Sequence, residues 1–68
     1  MEFIYPAYKR PEFISVVAEI RDELNMSSFG LIDFEINPQN GNEEVATIQT
    51  DFAKKLTPEQ LTKLRAVK

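Results

Sequence analysis

Sixty-eight residues, 43% of them apolar and none of them Cys, His or Trp, describe one small globular domain spanning residues 1–68, not a disordered or fibrous chain. The lack of His and Cys excludes thiol chemistry, imidazole acid–base catalysis, a Ser-His-Asp triad and zinc held by Cys or His, and no apolar run is long enough for a membrane span. Net charge is −3 but uneven: residues 1–53 carry three bases and ten acids, net −7, whereas residues 54–68 carry five bases and one acid, net +4.

The start, Met1-Glu2-Phe3-Ile4-Tyr5-Pro6, has no basic region and no sustained apolar run, so it does not read as a signal peptide. Together with the absence of cysteine this points to a cytoplasmic setting. Residues 2–8 read as a short strand with Phe3 and Tyr5 on one face, and Pro6, which has no N–H, ends it or places it at a sheet edge. Pro11 suits the first turn of a helix. Phe13, Val16, Val17, Ile20 and Leu24 form one helical stripe with Ile14 at its margin, so a helix is predicted over roughly residues 11–25, closed by Asn25 in the left-handed conformation.

A short link, residues 26–30, precedes the clearest strand: Ile32, Phe34 and Ile36 alternate with Asp33, Glu35 and Asn37, the pattern of a strand with one buried and one wet face. Pro38-Gln39-Asn40-Gly41-Asn42 is dense in turn formers, with Asn40-Gly41 suited to positive φ. The run from Glu44 to Phe52 alternates again and is predicted as the second hairpin strand, Ala46, Ile48 and Phe52 inward and Val45, Thr47, Gln49 and Asp51 outward. The last element has the best local signals: Thr57 as cap, Pro58 at the first helical position, Gln60 completing a capping box and Leu56 with Leu61 as a staple. Leu61, Leu64 and Val67 mark its buried side, and Lys63, Arg65 and Lys68 suit its dipole. The predicted fold is α+β: a two-layer sandwich in β-α-β-β-α order, with a small three-stranded mixed or antiparallel sheet and both helices on one face.

Four constellations bear on function. Glu19, Asp22 and Glu23 gather like charges toward the C-terminal end of one helix, where the dipole is already negative, and Glu12 extends the same side toward its start; this is either a solvated face, with Lys54 and Lys55 folded back onto it, or a surface kept for a basic partner. Asp33, Glu35 and Asp51, flanked by Glu43 and Glu44, make the open sheet face acidic, the reverse of an RNA-binding sheet. The basic C-terminal residues complement a helix dipole more simply than they bind nucleic acid. Phe3, Tyr5 and Tyr8 cluster near the start, where an exposed edge and tyrosines suit an interface.

Asn37 to Glu44 is rich in oxygen ligands, but aligning Gly41 with the glycine of a calcium loop puts Ile36 and Pro38 where acids are required. No glycine-rich phosphate loop exists. These features predict a non-enzymatic interaction module without cofactor or metal. It would be a small acidic inhibitor or adaptor whose Glu12, Glu19, Asp22, Glu23, Asp33, Glu35, Tyr5 and Tyr8 meet a protein with a basic surface, with no direct nucleic-acid or membrane contact. Phage- or plasmid-encoded regulators of host machinery are one home for such a molecule. The alternatives are a homo-oligomeric assembly subunit, for instance a homodimer, pairing through the first strand, and a nucleic-acid mimic.

Overall fold

A computed structural model describes residues 1–25 and 32–68. The predicted link at residues 26–30 lies outside the described residues. The elements are β1 (Glu2–Pro6), a 3-10 turn (Ala7–Lys9), α1 (Arg10–Glu23), β2 (Ile32–Ile36), β3 (Glu43–Ile48), a single-turn α2 (Thr50–Ala53) and α3 (Pro58–Arg65). The sheet is antiparallel throughout, in the order β1-β3-β2. The strands met second and third in sequence form the expected hairpin. β1 then adds on the far side of β3, with Phe3 beside Ala46 and Tyr5 beside Glu44.

Strand alternation sorts the residues. Phe3, Tyr5, Glu44, Ala46 and Ile48 are buried, whereas Glu2, Ile4, Asp33 and Glu35 are exposed. Phe3, Tyr5, Ala46 and Ile48 join Phe13, Val17 and Ile20 of α1, Phe52 of α2, Leu56, and Leu64 and Val67 at the C-terminal end in one core. Phe13 is its aromatic centre. Its ring stacks on Tyr5 at 4.7 Å between centroids, tilts against Phe3 at 5.9 Å and meets Phe34 edge-on at 6.4 Å. Such pairs add about 0.5–1.5 kcal/mol each beyond the area they bury.

Local chemistry explains the boundaries. Pro6 ends β1 and the chain turns at once into the 3-10 segment, so the first strand is shorter than residues 2–8. Asn25 closes the α1 end with φ 57°, the left-handed conformation that Asn tolerates. Thr57 accepts from the Gln60 N–H while the Gln60 side chain accepts from the Thr57 N–H, completing the capping box.

Three expectations need correction. Ile36, predicted on the buried face of its strand, is 68% exposed at the end of β2. The run from Glu44 to Phe52 is not one strand: β3 ends at Ile48 and Thr50–Ala53 is helical. Ile48 and Phe52 are four residues apart, a spacing that serves one strand face and one helix face equally, so alternation could not separate the two. The hairpin loop, residues 37–42, does not use positive φ at Asn40, since Asn25 is the one non-glycine residue with positive φ among those described. Two side-chain turns hold it instead: Asn37 Oδ1 accepts from the Gln39 N–H and Asn40 Oδ1 from the Asn42 N–H, each at 3.0 Å.

Candidate functional site

The three strands contain five carboxylates and no base, and the sheet's pleat divides them. Glu44 points to the core side and is 8% exposed. Arg10, the first residue of α1, reaches it with a two-pronged contact, Nε to Oε1 at 2.9 Å and Nη2 to Oε2 at 2.6 Å. Tyr5 donates its hydroxyl to Oε1 at 3.1 Å. The guanidinium also lies over the Phe34 ring, 5.2 Å from its centroid. The Arg10 hydrogen bonds hold the Glu44 carboxyl below its ordinary range against the opposing effect of burial. Burial, and then the bond to Glu44, push the Tyr5 hydroxyl up to about 12. Arg10 is in turn raised by its bonds to Glu44. Both oxygens of Glu44 are engaged, so this cluster ties β1, β3 and α1 together.

The other four carboxylates face outward. The register places Glu2, Thr47 and Asp33 in one row across the sheet and Ile4, Val45 and Glu35 in the next, with Glu43 beside Pro6. The result is a small apolar centre, Ile4 and Val45, bounded by Glu2, Asp33, Glu35 and Glu43. Asn37 donates to Glu43 at 3.2 Å. None of the four is in an ion pair among the described residues, whose ion pairs are Lys9–Glu12 and Arg10–Glu44.

This arrangement revises the candidate set residue by residue. Asp33 and Glu35 lie on the outer face as expected. Glu44 does not: its position in β3 turns it inward. Asp51 is exposed on α2, not on a strand. Tyr5 is 1% exposed and cannot touch a partner, because its place in β1 carries it under α1. Tyr8 is 78% exposed and borders a shallow groove between residues 6–8 and 40–43. On α1, Glu12, Glu19, Asp22 and Glu23 are all exposed. Glu12 pairs with Lys9 at 3.1 Å, and Glu23 accepts from the Gln60 side chain at 3.4 Å. Neither Lys54 nor Lys55 forms an ion pair with these acids among the described residues.

Sequence reasoning missed Glu2 as part of the outer face and Arg10 as the partner of Glu44, while Ile4 lies opposite Phe3 and Tyr5 as strand alternation predicts. Strand parity carried the first signal: Glu2 and Ile4 are out of phase with Phe3 and Tyr5. No helix among those described is long and apolar enough to cross a membrane. Among the described residues no group of three or more acids could hold a metal ion. No family model, curated protein or solved structure matches the chain.

Proposed function

We propose that this chain is a non-enzymatic protein-binding module, an inhibitor or adaptor, and that the outer face of its sheet receives a basic surface of a partner protein. One observation carries the reading: the only strand carboxylate turned inward is neutralised by Arg10, whereas the four turned outward border the exposed Ile4 and the half-buried Val45 without a base among them. An apolar centre with a charged rim is the anatomy of a protein interface. Like charges held together this way are relieved when a cationic surface covers them. On this reading α1 and α3 both lie against the buried face. The acids Glu19 and Asp22 of α1 then point away from the outer sheet face, so a single partner surface meets one acidic patch and not both. That arrangement also argues against a nucleic-acid mimic, which needs one continuous anionic surface.

The test pairs two charge reversals. The partner is captured at low salt, identified and purified, and its affinity is measured for the wild type, for Asp33→Lys with Glu35→Lys, and for Glu19→Lys with Glu23→Lys. The sheet variant should lose binding while keeping its circular dichroism, and the helix variant should retain it. Loss confined to the helix variant would move the site to α1.

A further inference from the structure

The outer edge of β1 is unoccupied by any other element among those described, and its hydrogen-bonding pattern can be read residue by residue. Met1 and Ile48 exchange main-chain bonds, and the Ala7 N–H donates to the Asn42 carbonyl. With the register between them, Phe3 and Tyr5 also turn their main-chain groups toward β3. Glu2, Ile4 and Pro6 therefore turn theirs away from the sheet. The free edge offers N–H groups at Glu2 and Ile4 and carbonyls at Glu2, Ile4 and Pro6. Ile4 is 54% exposed at its middle.

We propose that this edge pairs with the same edge of a second copy, forming a two-fold dimer with a continuous six-stranded antiparallel sheet centred on Ile4. In this register the two Ile4 residues exchange both main-chain bonds, and each Glu2 N–H meets the partner's Pro6 carbonyl. The bond that each proline denies falls on a Glu2 carbonyl, one at each end of the ladder. The edge is thus complementary to itself under two-fold rotation, the requirement of a symmetric dimer. The register also keeps the carboxylates apart: each Glu2 lies opposite a proline, and the two Glu2 side chains sit at opposite ends of the paired segment. Sliding the copies by two residues one way brings the Glu2 residues onto neighbouring diagonal positions. Sliding them the other way loses the bonds made by Glu2. On the outer face the two Ile4 side chains come side by side, joining Val45 of each copy in one β-branched stripe across the dimer.

This inference does not rest on partner binding by the outer face, and salt separates the two. Each copy carries net −3, so screening strengthens self-association but weakens capture of a basic partner. Sedimentation equilibrium over a concentration series, with amide exchange followed by NMR at its two ends, tests the proposal. Mass should rise to that of a dimer, and the Ile4 amide, which no group among the described residues holds in the monomer, should become protected. Ile4→Pro removes the outward donor while leaving every bond to β3 in place, and Ile4→Lys sets two cations side by side. Each should weaken dimerisation at least about tenfold, and Ile4→Lys covers the case in which the proline variant fails to fold. A monomer throughout the series overturns the proposal. So does a dimer in which the Ile4 amide stays unprotected, or one that both variants form as well as the wild type does.

Discussion

Replacing Glu44 by Gln tests whether the buried carboxylate joins the layers of this fold. The side chain keeps its shape but turns one acceptor oxygen into an NH2 group and removes the charge. Glu44 now accepts three hydrogen bonds, two of them from a guanidinium. In the variant one amide nitrogen faces an Arg10 nitrogen, donor against donor, and the remaining bonds lose their charge. A hydrogen bond to a charged group contributes about 1.5–3 kcal/mol. The Arg10 side chain is 48% exposed, so water takes back part of what it loses and the cost falls to about 1–2 kcal/mol. For a domain of this length that lowers Tm by roughly 4–16 °C. Urea unfolding should show the midpoint falling with an unchanged slope. Glu43→Gln, one residue away but on the outer face, should stay within about 0.5 kcal/mol of the wild type. Equal midpoints for Glu44→Gln and the wild type would refute the reasoning. They would mean that the pair only offsets its own desolvation.

Other outcomes follow from the same contacts. Because the folded-state pKa of Glu44 is lowered, its stabilisation is present above the unfolded carboxylate range and disappears as pH falls through the folded value; acid unfolding monitored by circular dichroism should shift to higher pH when Arg10 is replaced by Met. Tyr5 shifts the other way, to about 12, so its contribution is complete below pH 10 and is lost as pH rises toward 12; tyrosinate absorbance should show a late ionisation step that Tyr5→Phe removes. Phe13→Ala removes the ring shared by three aromatic contacts and should cost about 3–5 kcal/mol, enough to leave a chain this small largely unfolded by thermal scanning. Thr57→Ala breaks the capping box and should cost about 1 kcal/mol in the same scan.

The elements with two agreeing signals were legible in the sequence. α3 had its cap, its proline and its apolar spacing, and β2 had strict alternation between turn formers. α1 carried a stripe of five apolar residues, of which Phe13, Val17 and Ile20 are buried. What was not legible depended on pairing across the chain. The order β1-β3-β2 decides that Glu44 lies beside Tyr5, and only then does Arg10, separated from it by 34 positions, have a carboxylate to meet. From composition alone Glu44 belonged to the acidic rim, and Tyr5 was a candidate contact. Likewise Ile48 and Phe52 satisfy two periods at once, so local pattern could not show where the strand gives way to helix. The acidic outer face was half legible: Asp33 and Glu35 followed from alternation and Glu43 flanked them in the sequence, while Glu2 joined them only once β1 was placed beside β3.

The most direct measurement of the central claim is the salt dependence of affinity between the captured partner and the two charge-reversed proteins. The account predicts that wild-type affinity falls steeply as salt rises, that the Glu19 and Glu23 reversal follows the same line, and that the Asp33 and Glu35 reversal binds weakly at every salt concentration. Wild-type affinity independent of salt, or binding untouched by the Asp33 and Glu35 reversal, would contradict it.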